Sequence, residues 1–222
     1  HFRVPCGMNI LLLSPYPKNE TLKKFFQSRG DKVTIFMEEL APDVLRSQQV
    51  DYIISFSYPH IISEQVISLY KDRIINLEDA FLPVVRCKYP GLWCLFEGKP
   101  NGISLFFIDS GIDSGDLIFQ EEITFSEDDT LSSSYQKRAR ALEKLLMSKW
   151  EHIVSGVYQK KNQKEMSQLG FRRWKKHSDC LLELFPEKWT TPISDVQRAG
   201  AEFEMTRGFW KQYSIDIDLL SE

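Results

Sequence analysis

Asn76, Glu78 and Asp113 are the residues of this chain whose types and placement offer chemistry. Asn76 stands near the end of an apolar run, Ile74-Ile75-Asn76-Leu77, before a turn that closes with Leu82-Pro83. Asp113 lies in Asp109-Ser-Gly-Ile-Asp-Ser-Gly-Asp116, directly after a second apolar run from Ile103 to Ile108. Both places read as strand ends, and in a parallel α/β sheet sites form where the carboxyl ends of strands meet. Acyl transfer to an amine suits such a set. The amine must lose a proton, the oxyanion of the tetrahedral intermediate must be stabilised, and the leaving nitrogen must be protonated. A strand-end asparagine can donate its amide to the oxyanion. A carboxylate such as Asp113 can hold a water or orient a base. No histidine stands beside Asn76, where the acids Glu78 and Asp79 are found instead. Each residue also has a plainer use, Asn76 as a turn closer and Asp113 as a turn former between glycines.

The first half of the chain alternates strand and helix patterns, as positioning these residues requires. Strands are expected over Asn9–Ser14, Lys32–Phe36, Asp51–Ser57, 74–77 and 103–108. Helices are expected around Leu22–Phe26, from Pro42, over Ile61–Tyr70 and at roughly 90–97. The repetition implies a doubly wound, mostly parallel sheet with right-handed crossovers, a Rossmann-like three-layer α/β sandwich. After Gln120 the pattern changes. An acidic N-cap segment, Glu127 to Thr130, opens a long helix. Leu131, Tyr135, Ala139, Leu142, Leu146, Trp150 and Ile153 form an apolar stripe along it. Lys137, Arg138 and Arg140 are expected on its solvated face, and His152 and His177 are expected to be exposed. Residues 1–8 are expected to be a leader or cloning remnant. Residues 9–156 would form the main domain, and 157–222 a small appendage with a short helix and a possible hairpin. The aromatic residues of that appendage (Phe171, Trp174, Phe203, Phe209, Trp210) would form its core or a dimer interface.

Composition narrows the function. The chain has 222 residues, 42% apolar and 27% charged, the balance of a soluble globular protein. Its net charge of −3 gives no basic field for nucleic acid. No apolar run approaches the roughly 20 residues that span a bilayer. Cys6, Cys87, Cys94 and Cys180 form no C-x-x-C pair and have no histidines at metal spacing. Reduced thiols, a cytoplasmic location and no metal site are expected.

The motifs also carry a resemblance. Asn76-Leu-Glu-Asp-Ala-Phe-Leu-Pro83 resembles the Asn-x-His-x-Ser-x-Leu-Pro signature of formyltetrahydrofolate-dependent formyltransferases, and Gly111-Ile-Asp-Ser-Gly115 resembles their aspartate loop. Within that superfamily the chain looks most like the nucleotide-sugar N-formyltransferases, through DYIISFSYPHII, RIINL, the 95–123 block, TLSSSYQK and Trp189-Thr-Thr-Pro-Ile193. The likeness extends from residue 9 to about 195. It implies transfer of a formyl group from N10-formyltetrahydrofolate, a co-substrate, to the amine of a nucleotide-linked deoxy-amino sugar of polysaccharide or O-antigen synthesis, by a homodimer. It implies that Asn76 polarises the formyl carbonyl and that Asp113 manages proton transfer. Ser57, Tyr58, His60, Ile61, Asp109 and Gly111 would lie against folate, and Phe81, Arg86, Lys88 and Tyr89 against the sugar nucleotide. Gly170 to Asp179 resembles a segment that helps form a dimer or sugar-binding region in the sugar enzymes.

The departure is Glu78, where the family has histidine. Three readings follow. Glu78 is a substitute base, its proton affinity raised by burial near Asp113; or the loop is rebuilt for another small amine; or the protein binds folate or a nucleotide sugar without turnover. Action on methionyl-tRNA is disfavoured by the negative charge and by the lack of a long basic C-terminal domain in this sequence.

Overall fold

The computed structural model describes residues 7–166, 171–172 and 175–206. In chain order the elements are β1 (Asn9–Leu13), α1 (Glu20–Ser28), β2 (Lys32–Ile35), α2 (Pro42–Gln48), β3 (Tyr52–Ser55), α3 (Glu64–Leu69), β4 (Ile74–Glu78), β5 (Val85–Arg86) and α4 (Pro90–Phe96). They continue with β6 (Gly102–Phe107), β7 (Leu117–Glu122), α5 (Leu131–Val154), β8 (Phe171–Arg172), α6 (Lys175–Glu183) and α7 (Ile193–Thr206). A six-stranded sheet has the order β2-β1-β3-β4-β6-β7, and β5 pairs with β8.

The sheet has helices on both faces, the Rossmann-like α/β architecture the sequence pattern implies. β2, β1, β3 and β4 are parallel neighbours. Period-2 alternation sends successive strand residues to opposite faces. Ile10, Leu12, Ile54 and Ile75 share a cluster with Leu22 and Phe26 of α1 and with Leu142, Leu146 and Trp150 of α5. Leu11, Leu13, Ile53 and Ile74 meet Leu45 of α2 and Val66 of α3 on the other side. Trp150 is fully buried, with Phe26 at 4.9 Å and Tyr52 at 5.2 Å in edge-to-face contact, so α5 is anchored at its C-terminal end. Its N-terminal end is fixed by a capping box, in which Thr130 and Ser133 exchange side-chain to backbone hydrogen bonds. Among the described residues no helix is long and apolar enough to cross a membrane.

The crossover expected between β4 and β6 is not right-handed and parallel, because β6 pairs antiparallel to β4. The helix between them explains this. α4 has seven residues, about 10 Å of helix, too short to carry the chain back to the far end of the sheet. β6 therefore starts where β4 stops. β7, which sequence reasoning did not find, then returns antiparallel beside β6. Only Leu117 and Ile118 of β7 are buried apolar residues, so its pattern is weak. Arg138 is not on a solvated face: it is 3% exposed. It falls within the arc of the apolar stripe, three residues after Tyr135 and four before Leu142. His177, expected at the surface, is buried.

In place of the hairpin foreseen near the C-terminus, α6 and α7 pack beside α4. Leu181, Phe185, Ile193 and Val196 share a buried cluster with Val85, Leu92 and Trp93. The side chains of Phe171 and Phe203, and Trp174, Phe209 and Trp210, lie outside the described residues, as does Gly170. α7 touches α4 at Gly200, where a Cβ would stand 1.7 Å from the Phe96 carbonyl oxygen. Alanine normally favours a helix over glycine by about 1 kcal/mol. Here Gly200→Ala must push α7 off α4, and the expected result is a loss of about 1–3 kcal/mol, read as a lower midpoint in urea unfolding. A gain would show that α7 does not dock where described.

Candidate active site

Asn76 and Glu78 share one face of β4, because the strand runs one residue further than its apolar run suggests. Both are partly buried, and Asn76 Nδ2 donates to Glu78 Oε2 at 3.0 Å. The backbone beyond Glu78 is pinned by two residues that sequence reasoning missed. The buried Ser104 hydroxyl donates to Ala80 O at 2.7 Å and accepts from Leu82 N at 3.1 Å. Gln120 Nε2 donates to Leu82 O at 2.6 Å and to Ser104 Oγ at 3.0 Å. Ser104 sits opposite Glu78 in the β4–β6 ladder, so the antiparallel strand that the sequence did not reveal is what holds the turn.

The Asp113 loop is held from below. Arg86 Nε donates to Asp113 O at 2.9 Å, and its Nη2 donates to Gln163 Oε1 at 2.7 Å. Gln163, fully buried, donates in turn to Asp113 O and Gly115 O. Asp113 takes a left-handed backbone with φ of 52°, which aspartate tolerates better than most residues. Asp109 braces the loop internally, its Oδ1 accepting from Gly111 N at 3.0 Å and Ser114 Oγ at 2.7 Å. Gly115 is required by crowding, since a Cβ there would lie 1.7 Å from Phe107 O.

Two cavities open on these elements. The smaller, about 300 Å³, is lined by Ser57 to Ile62, Asn76, Glu78 and Asp109 to Asp113. It gathers every residue that the resemblance assigns to folate. Its lips are apolar, with Ile61 82% and Ile112 57% exposed. Its wall is polar, with one amide and several carboxyl groups. The larger, about 720 Å³, is lined by Phe56, Ser57, Glu78, Asp79, Lys88, Tyr89, Tyr135, Arg138 and Trp189 among others. Tyr89 and Trp189 meet edge to face at 4.9 Å, and Lys88 pairs with Asp179 at 2.6 Å. Phe81 and Arg86 lie outside both linings: Phe81 packs over Gly102, and Arg86 braces the Asp113 loop. His60 stands beside Tyr58, ring to ring at 5.2 Å. Lys18, not singled out in the sequence, reaches the site from the segment before α1. It donates to Ser57 Oγ at 2.8 Å and to the Tyr135 hydroxyl.

Ser57, Tyr58 and Glu78 line both cavities, so the Glu78 carboxyl sits at their seam. Burial first, then the carboxylates of Asp113 and Asp79, raises its proton affinity well above that of an ordinary glutamate, and the Asn76 hydrogen bond opposes the shift. Such a group keeps its proton to higher pH than an ordinary glutamate, and its position at the seam lets it exchange that proton with a ligand atom in either cavity.

A formyl transferase family model matches residues 17–150. The formyltransferase PseJ from Anoxybacillus kamchatkensis, solved in complex with UDP-4,6-dideoxy-4-formamido-L-AltNAc and tetrahydrofolate, is 33% identical with a TM-score of 0.77, covering 86% of this chain and 99% of that one. A 4-N formyltransferase from Francisella tularensis shares the fold at 14% identity and a TM-score of 0.68, over 86% of each chain. Among curated proteins, the methionyl-tRNA formyltransferase of Fusobacterium nucleatum is 28% identical over 174 residues, 78% of this chain and 53% of its own length. The chain thus spans about half the length of that relative.

Proposed function

The chain belongs to the formyl transferase family, and from that premise we propose that it moves the formyl group of N10-formyltetrahydrofolate to the amine of a nucleotide-linked deoxy-amino sugar. The observation that carries the reading is the seam: one carboxyl, Glu78, faces two cavities that suit two different ligands. The smaller cavity fits folate by its chemistry. Its apolar lips at Ile61 and Ile112 suit aromatic rings, and its carboxyl-rich wall suits an edge rich in N–H groups. The larger cavity offers Tyr89, Tyr135 and Trp189 for a nucleobase and the ammonium groups of Lys18 and Lys88 near its rim for phosphates. The similarity to PseJ over most of both chains supports the sugar acceptor over a tRNA.

Bound folate would supply the formyl carbon. The protein's residues then divide the work. Asn76 carries a second amide hydrogen besides the one on Glu78, and donates it to the oxygen on which charge develops. Glu78, as the ionised fraction, takes the proton from the acceptor amine. Protonated Glu78 then returns it to the departing nitrogen of the donor. Asp113, which lines the smaller cavity with Asn76 and Glu78, holds the water or proton path. The test is direct: the full chain is mixed with N10-formyltetrahydrofolate and a panel of UDP- and dTDP-linked amino sugars, and release of tetrahydrofolate is followed by absorbance. Turnover with one or more sugars is expected. Turnover only with a small free amine would move the acceptor class, and binding of a folate analogue without turnover would leave a binding protein.

A further inference from the structure

Glu78 is followed by a second acid that neither the resemblance nor the proposed reaction uses. Asp79 is partly buried and lines the larger cavity. Its partner, Arg138, comes from α5, and its side chain is 4% exposed. Arg138 Nε donates to Asp79 Oδ1, and its Nη2 lies 3.4 Å from Oδ2. The same guanidinium lies over Phe125, 5.5 Å from the ring centre, and within 3.5 Å of Asn101 Oδ1. It fills the space above Gly91 in α4, where a Cβ would come 2.2 Å from Nη2. Four parts of the chain therefore converge on the cation that α5 carries: the turn just after β4, α4, the segment before β6 and the segment after β7. A buried pair of this kind is seldom the cheapest way to stabilise a fold, because two charges must be dehydrated.

We propose that Arg138 and Asp79 are a positioning pair: anchored on α5 and admitted by Gly91, the guanidinium fixes the end of β4 and so holds the Glu78 carboxyl at the seam between the two cavities. The proposal rests on the function proposed above for what Glu78 does there. The groups facing Glu78 are Asn76 on β4, Asp79 directly after it and Asp113 from the loop before β7. The Lys18 ammonium also acts on Asp79, and the thiol of Cys94 on α4, pushed up to about 12 by burial, stays neutral. The Asp79 charge raises the proton affinity of Glu78, so its removal must lower that affinity.

The experiment compares the wild type with Asp79→Asn and with the double variant Asp79→Leu/Arg138→Met, in which an apolar pair fills the same space without a stranded charge. Three readouts are taken on the full chain: thermal melting, kcat and KM for formyl transfer, and the Glu78 titration midpoint by carbon-13 NMR, assigned with Glu78→Gln. Both variants are expected to stay folded and to lose kcat by about tenfold to a hundredfold, with KM for the formyl donor unchanged. In Asp79→Asn the Glu78 midpoint and the acid limb of kcat move to lower pH. An unmoved midpoint, or a double variant as active as the wild type, overturns the proposal. A wild type that transfers no formyl group while Asp79→Asn still shifts the midpoint would sink the functional reading and keep the pair.

Discussion

Replacing Asn76 with alanine is expected to lower formyl transfer by about 10²–10³-fold while the protein remains folded. Asn76 is partly buried and its side chain donates to Glu78 Oε2, so truncation removes a donor from the site and little from the core. The side chains that carry the sheet at this level, Ile75 and Leu77, point into the core on the opposite face of β4. If the amide acts on charge that develops only during transfer, kcat falls and KM for the donor barely moves. A second effect has a definite sign. The Asn76 hydrogen bond lowers the proton affinity of Glu78, so its loss raises that affinity. The acid limb of residual activity then shifts to higher pH. Steady-state kinetics across pH, beside a thermal melt, measure both. An Asn76→Ala protein with wild-type kcat would remove the oxyanion role and with it the assignment of the smaller cavity.

How much of this was legible in the sequence follows from what each residue depends on. The parallel half of the sheet was readable because its inner strands are buried on both faces and appear as apolar runs, as in Ile10 to Leu13, while the edge strand β2 shows itself by alternation. That Asn76, Glu78 and Asp113 share a cavity could be anticipated because two short local segments, each at a strand end, single them out. The antiparallel half was not. β6 looks the same whichever way it runs, and its direction depends on the length of α4 and on a turn whose partners, Ser104 and Gln120, are distant in sequence. Arg138 was misplaced because a basic residue among basic neighbours looks solvated, although its helical phase puts it with Tyr135 and Leu142. Gln163 carried no signal at all: a glutamine in a polar connection becomes a brace only when Asp113 and Gly115 present their carbonyls to it. Local patterns were thus visible, whereas contacts that unite distant segments around the Glu78 turn were not.

Glu78→Gln should separate function from stability more sharply than any other change in this protein. The glutamine side chain keeps the shape and can still accept from Asn76, but it cannot take a proton from an amine. Loss of general base catalysis is expected to cost about 10²–10⁴-fold in kcat. Stability should move the other way. The folded protein raises the proton affinity of Glu78, so the folded state binds that proton at a pH where the unfolded chain has released it. The contribution of the group is complete below the ordinary glutamate value of about 4.3 and is lost as pH rises toward the raised value in the fold. At neutral pH the wild type therefore bears a buried carboxyl flanked by Asp79 and Asp113, and Glu78→Gln relieves it. The variant should melt higher than the wild type near neutrality, and the two curves should converge in mild acid. Glu78→His tests the same site from the other side. An imidazole would be cationic more readily beside two acids and, as the residue the family motif carries, should retain transfer. Equal melting of wild type and Glu78→Gln at neutral and acid pH would mean that the carboxyl is well hydrated, and a hydrated Glu78 would lack the proton affinity that lets it serve both cavities.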